Sequence, residues 1–222
     1  MFGLDEYVAG HSDGAGLAVV ALVAILLGLR HATDPDHLAA VTALAPSEPG
    51  PRGAARLGLA WGGGHALTLL TFGLPIVLFH AFLPERVQQG AETAVGITIA
   101  TLALWLLLRW QRGDFRVHAH PEAHGPRTPL QAFLVGLLHG VGGSAGVGIL
   151  LVATIQRQAY ALIALAVLAL FTALSMTVLT TAFGTVFARL PLARVVPALG
   201  TLSLAFGVWY ALGALSLAPY YF

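Results

Sequence analysis

Six stretches of the sequence are apolar for long enough to cross a lipid bilayer, since a transmembrane helix needs about 20 mostly apolar residues. They are residues 14–45 (long and interrupted), 57–82, 94–108, 130–155, 159–187 and 195–217. Only 9% of the residues are charged, whereas a soluble domain carries about 25%. An ordinary globular enzyme and a disordered chain are therefore excluded. We predict one all-α, polytopic membrane domain over residues 1–222, a bundle of about six transmembrane helices.

Net charge and cysteine content exclude further classes of protein. The formal net charge is +1, so no basic surface for nucleic acid is expected. The chain has no cysteine, which removes disulfides and thiolate metal sites. The partners left open are the lipid bilayer and whatever the polar residues within the spans recognise.

The arginines are distributed unequally among the loops. Loops 46–57, 109–129 and 188–194 hold eight arginines, whereas the alternate loops hold only Arg86 and Arg157. Cytoplasmic loops carry the excess of positive charge, so we predict a multi-pass protein of the cell (inner) membrane with loop 109–129 in the cytoplasm and both termini outside. Three tryptophans near span ends are expected to anchor the interfaces: Trp61, Trp110 and Trp209.

Few ionisable residues lie within the predicted spans. Away from the ends of the spans, the acids are Asp34 and Asp36 and the histidines are His31, His37, His65 and His139. Each aspartate at mid-membrane costs roughly 2.5–3.5 kcal/mol on insertion scales, so unpaired carboxylates are hard to retain. One interpretation is a hydrogen-bonded clasp that holds helices together. We favour an ion pathway, because intramembrane ionisable residues mark such pathways.

The densest group of polar residues lies at 30–38, with the sequence RHATDPDHL. On a continuous helix, His31, Asp34 and His37 would share one face and Asp36 would point away. Pro35 disfavours helical geometry at Asp34 and removes the N–H that would bond the carbonyl of His31. We therefore predict a broken first helix with a freed carbonyl and a redirected Asp36, which is tolerated at membrane depth only inside protein or beside a cavity.

Two further motifs suggest that the chain is an internal repeat. GLLHGVGGSAG (136–146) aligns with the first cluster at an offset of 108, and MTVLTTAFG (176–184) aligns with HALTLLTFG (65–73) at an offset of 111. Two halves of three spans each, about 14–108 and 130–217, are then inverted relative to each other. Sites in such proteins lie on interrupted helices at the repeat interface. The three glycines before His65 allow another backbone to approach closely.

Imidazole and carboxylate without thiolate suit borderline divalent ions such as Ni²⁺, Co²⁺ or Zn²⁺, and the donor set does not choose among them. The candidate metal residues are His31, Asp34, Asp36, His37, His65 and His139. Loop 109–129 also contains HAHPEAH, with His118, His120, Glu122 and His124; such tracts often bind metal, although a solvated loop is the commoner interpretation. His11 and Asp13 are a weaker candidate on the outer side.

The motifs resemble those of the nickel/cobalt transporter (NiCoT) family and its six-span, UreH-like branch. The segment from His31 to His37 resembles the His-x-x-x-x-Asp-His signature, Gly64-His65 resembles a second Gly-His signature, and residues 139–145 resemble a His-Gly-x-x-Gly-Ser motif. The resemblance implies a secondary permease for Ni²⁺ or Co²⁺ with His31, Asp36 and His37 as signature residues and Asp34 and His65 beside them. Pro35 and Ala66 depart from the pattern of many relatives.

The predicted function is alternating access around a mid-membrane metal site, with uptake preferred over export. His31, His37 and His65 would supply nitrogen ligands, Asp34 or Asp36 negative charge, and His139 a ligand or gate from the second half. No prosthetic group is expected, only the transported ion and an optional cytoplasmic metal acceptor. A proton-coupled exporter of a divalent metal or another cation, and a membrane metalloenzyme, are the alternatives. The sequence has neither HExxH nor a Walker motif. Because ligand imidazoles must be deprotonated, affinity should fall below a pH of about 6.5.

Overall fold

The computed structural model describes residues 4–44, 50–79, 84–115, 128–140, 149 and 151–219, with side chains from residue 16 onward. The described residues contain helices and turns and no strand, which confirms the prediction of an all-α protein. The helices are α1 (Leu4–His31), α2 (Pro35–Leu44), α3 (Pro51–Phe79), α4 (Glu85–Gln111), α5 (Pro129–His139), α6 (Gln158–Phe187) and α7 (Leu192–Ala214). Residues 151–153 are also helical.

Four helices, α3, α4, α6 and α7, are each long and apolar enough to cross a membrane. The pair α1 and α2 is bent by 48° and counts as a fifth span if it is taken as one broken helix. Helix α5 is apolar but has only 11 residues. It begins the predicted fourth span, most of whose remainder lies outside the described residues. The protein is therefore a multi-pass membrane protein with four or five long spans and one short apolar helix in its described part.

The break in the first span follows from Pro35. Helix α1 ends at His31, and α2 begins with Pro35, where the missing N–H of proline costs no helical hydrogen bond. The backbone N–H of Asp34 donates to the carbonyl of His31 over 3.1 Å, and that of Leu38 donates to the carbonyl of Asp34 over 3.0 Å. The predicted break is thus present, but the prediction of a freed His31 carbonyl is wrong, because the turn uses that carbonyl itself.

Helices α3 and α6 run antiparallel through the middle of the bundle. A Cβ atom at Gly58 would lie 2.9 Å from the Cα of Thr177, and one at Gly62 would lie 2.9 Å from the Cα of Ala173. Residue numbers therefore decrease along α6 as they increase along α3. Helices α4 and α7 form a second antiparallel pair, with Gly96 against Ala211. Glycine at these positions lets the backbones touch, which is how helices associate in lipid.

The first helices of the two halves run in opposite directions. Helix α1 is parallel to α6, with Gly16 beside Tyr160 and Gly28 beside Thr172. Helix α5 is parallel to α3, with Gly136 against Trp61 and Gly140 against His65 and Thr68. Because α3 and α6 are antiparallel, α5 runs opposite to α1.

The close contacts occur in pairs that the predicted repeat relates. Gly28 lies against Thr172. The repeat relates Gly28 to Gly136 (offset 108) and Trp61 to Thr172 (offset 111), and Gly136 lies against Trp61. Gly96 meets Ala211, and Gly207 meets Ala100 at the same offset of 111. Gly62 and Ala173 are each other's counterparts and touch directly. These exchanged contacts support two halves of inverted orientation.

The directions of the helices gather most of the described arginines at one end of the bundle. At that end the N–H of Gly50 donates to Gly184 over 3.1 Å, and the indole of Trp110 donates to Ala193 over 2.7 Å. The helix termini there carry Arg52, Arg56, Arg109, Arg112, Arg189 and Arg194. Arg86 and Arg157 lie near the opposite end, where the Gln89 side chain donates to the carbonyl of Ala214.

The contact at Gly62 makes a prediction about stability. In Gly62→Ala the new methyl group would lie 2.7 Å from the backbone oxygen of Ala173, so α3 and α6 must separate at a cost of about 1–3 kcal/mol. In the control Gly63→Ala the methyl group meets nothing within 4 Å, and the better helix propensity of alanine makes it neutral or slightly stabilising. Thermal unfolding of both variants in the same detergent measures the difference. Equal midpoints would contradict this packing.

Candidate metal site

Three histidines from two spans meet in the interior of the bundle. His31 ends α1, His37 lies in the first turn of α2, and His65 lies in α3. Each ring offers one nitrogen, and these three nitrogens lie within 4.8 Å of one another. The separations of the ring centroids are 4.6 Å for His31 and His37, 4.8 Å for His31 and His65, and 5.1 Å for His37 and His65. All three rings are buried. We call them the three-histidine cluster.

The three-histidine cluster lies at the middle depth of the bundle. His65 is 14 residues from either end of α3 (Pro51–Phe79), or about 21 Å at a rise of 1.5 Å per residue. His31 is held at the same level, because its Nε2 lies 2.8 Å from Nε2 of His65. The break between α1 and α2 is therefore also at mid-depth, as the sequence predicted.

Asp34 extends the contact between His31 and His65 into a chain. Its Oδ2 lies 3.3 Å from Nδ1 of His31 and accepts a hydrogen bond from Nδ1–H. When His31 is neutral and carries its proton on Nδ1, its Nε2 is a lone pair that accepts a hydrogen bond from Nε2–H of His65. A nitrogen that binds a metal cannot also hold a proton, so this hydrogen bond and a shared ion exclude each other. Proton transfer within the His65 ring, from Nε2 to Nδ1, would free both nitrogens.

Asp36 orients the ring of His37. Its Oδ1 lies 3.1 Å from Nδ1 of His37, and Asp36 is buried, so the break has redirected it inward as predicted. A carboxylate behind a histidine fixes its tautomer and strengthens the other nitrogen as a ligand. Nε2 of His37, Nδ1 of His65 and Oδ2 of Asp36 have no hydrogen-bond partner among the described residues. Buried polar atoms of this kind need an explanation, and a bound cation would satisfy them.

His139 lies beside the three-histidine cluster but does not complete it. Its ring centroid is 5.7 Å from that of His37. Nδ1 of His139 donates to the carbonyl of Val135 over 3.0 Å, which leaves Nε2 as a lone pair without a partner in the described part of the chain. His139 is thus a fourth buried imidazole from the second half, next to the three that lie together.

The position of Trp61 differs from the prediction that it anchors a membrane interface. It was expected to anchor an interface, yet it is only 1% exposed and its ring lies 5.6 Å from His37 and 6.1 Å from His139. That prediction is wrong because Trp61 lies one turn of α3 from His65, on the face that α5 covers. Its indole Nε1 has no hydrogen-bond partner among the described residues. Trp110, at the end of α4, is exposed as expected of an anchor.

Glu92 is a buried acid that the sequence analysis missed. The predicted third span began at residue 94, whereas α4 begins at Glu85 and buries Glu92. The side-chain amide of Gln88 donates to its carboxylate over 3.0 Å. A span defined by apolar residues alone leaves out the amphipathic first turns of α4, which hold these two side chains. The i, i+4 spacing of Gln88 and Glu92 is the one sequence signal that indicates their contact on a helix.

Three predicted features lie wholly or partly outside the described residues. The tract with His118, His120, Glu122 and His124 lies outside the described residues, as does most of the motif that follows His139. His11 and Asp13 lie on the described backbone of α1, but their side chains are outside the described part.

Comparison with known proteins finds a relative of similar length. The chain is 26% identical over 183 residues to the urease accessory protein UreH of Bacillus sp. (strain TB-90), a match that covers 79% of this chain and 80% of that protein. No family model matches the sequence, and no solved structure matches it. The match extends over most of both chains. This similarity agrees with the resemblance of the motifs to the UreH-like branch.

Proposed function

We propose that the protein is a secondary transporter that moves Ni²⁺ or Co²⁺ across the cell (inner) membrane. One observation carries the proposal: three buried imidazoles from two spans meet at mid-depth with their nitrogens within 4.8 Å of one another. Imidazole without thiolate suits borderline divalent ions. The relationship to a urease accessory protein favours nickel. We assign no enzymatic activity to the site.

In this proposal the residues of the site divide into ligands and supporting groups. His31, His37 and His65 bind the ion through nitrogen. Asp34 and Asp36 orient His31 and His37, and together they supply two negative charges that balance a divalent cation. His139, which comes from the second half, is either a fourth ligand or a gate. The break at residues 32–34 lets His31 and His37 move relative to each other as the ion enters and leaves.

Topology and direction complete the proposal. The arginine-rich end of the bundle faces the cytoplasm, as the positive-inside rule requires, and both termini lie outside. Transport inward, driven by membrane potential or proton exchange, is preferred. The cytoplasmic loop 109–129 or a cytoplasmic acceptor would then receive the metal.

The first prediction from this proposal concerns binding. Isothermal titration of the purified protein with Ni²⁺, Co²⁺ and Zn²⁺ is expected to show one tight site. Replacement of an orienting carboxylate in Asp36→Asn weakens it about 10–100-fold, and loss of a ligand in His31→Ala or His37→Ala weakens it further. Simultaneous His118→Ala, His120→Ala and His124→Ala is the control and retains the site. Tight binding that survives in His31→Ala and disappears in this control would place the metal on the loop.

The second prediction uses Trp61 as a reporter. Open-shell Ni²⁺ and Co²⁺ quench an excited indole at contact distance, and Trp61 packs against His37. Both ions are therefore expected to quench the tryptophan fluorescence of the wild-type protein, and Trp61→Phe should remove most of the quenching. The matched variant Trp110→Phe should retain it, because Trp110 lies at the far end of α4. Undiminished quenching in Trp61→Phe would argue against an ion at the three-histidine cluster.

The third prediction concerns transport. Vesicles that contain the wild-type protein are expected to accumulate ⁶³Ni²⁺ or Co²⁺, and vesicles with His37→Ala should not exceed empty vesicles. The direction of net movement in vesicles of known orientation distinguishes uptake from export. Equal transport by wild type and His37→Ala would contradict the assigned site.

A further inference from the structure

Arg30 has an environment unlike that of the other described arginines. It precedes His31, so it lies at the middle depth of the bundle, yet its side chain is 72% exposed. The same face of α1 carries Leu22, Leu26 and Leu29, all exposed and apolar. This face turns toward lipid along most of its length, and the charge of Arg30 interrupts it next to the break.

A chain of polar contacts leads from this exposed charge to the buried cluster. Nη2 of Arg30 lies 3.6 Å from Oδ1 of Asp34, and the other oxygen of Asp34 lies 3.3 Å from Nδ1 of His31. Nε2 of His31 in turn lies 2.8 Å from Nε2 of His65. Asp34 is only 8% exposed at its side chain, so it separates the exposed cation from the buried imidazoles.

The position of Arg30 is difficult to reconcile with a lipid environment. Ionisable side chains at membrane depth face the bundle interior or a water-filled cavity, because a charge in hydrocarbon is costly. Thr33, in the break itself, is also exposed and donates to the carbonyl of Arg30 over 2.6 Å. Two neighbouring polar groups at mid-depth indicate that water reaches the break from this side.

We propose that the exposed face of the break, marked by Arg30 and Thr33, borders a water-filled vestibule that leads to the three-histidine cluster, and that Arg30 is the counter-cation of Asp34 before the ion arrives. This inference rests on the proposed transport function and names the path and the charge exchange within it. The distance of 3.6 Å is that of a loose ion pair rather than a tight hydrogen bond. Arg30, exposed and flexible, leaves Asp34 as the divalent ion approaches, so that one cation replaces another beside a carboxylate that stays buried.

The vestibule is tested by chemical accessibility. Because the protein has no cysteine, Thr33→Cys and Leu26→Cys each introduce a single thiol, at exposed positions on the two sides of Arg30. In lipid vesicles, a positively charged, water-soluble methanethiosulfonate reagent is expected to modify Thr33→Cys at least about tenfold faster than Leu26→Cys. Equal and negligible rates at both positions would mean that lipid covers the break, and would overturn the vestibule.

The counter-cation is tested by a double-mutant cycle with Co²⁺ as the probe. Arg30→Gln is expected to lower the Kd about twofold to fivefold, the range for a loosely held ion pair, because Asp34 is then free of a competing charge. Arg30→Lys, which keeps the charge, should stay near the wild-type Kd. In the Asp34→Asn background, Arg30→Gln should change nothing. Arg86→Gln, at the far end of the bundle, controls for the general loss of a positive charge.

The outcomes separate this inference from the proposed function. If the wild-type protein binds no Co²⁺, Ni²⁺ or Zn²⁺, the transport proposal fails and the role of Arg30 fails with it. If the wild-type protein binds Co²⁺ and Arg30→Gln has the same Kd, or shifts the Kd equally in the Asp34→Asn background, only the role of Arg30 is wrong. Unfolding midpoints of the variants within a few degrees of wild type ensure that the Kd reports the charge rather than the fold.

Discussion

The contact between His31 and His65 at mid-depth is the interaction on which the rest of the site depends. It joins the end of α1 to the centre of α3, and it places the break of the first span at the middle depth of the bundle. Polar backbone at that depth is tolerated only when protein or a cavity surrounds it. The turn at residues 32–34 meets this requirement through its own hydrogen bonds, and the adjoining aspartates are held by His31 and His37.

Close backbone packing makes this arrangement possible. Lipid provides no hydrophobic force between helices, so α3, α5 and α6 must associate through short contacts at small residues. Gly62 brings α3 against α6, and Gly64 and Gly136 bring it against α5. His65 directly follows one of these glycines and His139 follows Gly136 by one turn, so the contacts that hold the bundle also set the positions of the imidazoles.

Each of the two buried carboxylates of the site has a basic side chain beside it. Asp34 and Asp36 are buried and each faces an imidazole nitrogen, while Arg30 approaches Asp34 from the exposed side. Buried carboxylates are retained at membrane depth when they are paired. In the proposed function, the two carboxylates balance the charge of a divalent ion, and the exposed arginine is the cation that this ion replaces beside Asp34.

The sequence by itself determined the helical class, five of the six predicted spans with the broken pair counted as one, the break at Pro35, and the grouping of His31, His37 and His65, because hydropathy, proline geometry and the cost of buried charge act locally. It also indicated the repeat, which the exchanged glycine contacts support. Only the tertiary structure placed Trp61 against the histidines, buried Glu92, left His139 beside rather than within the group, and exposed Arg30. These facts depend on which helix face meets which neighbour, and packing between distant segments decides that.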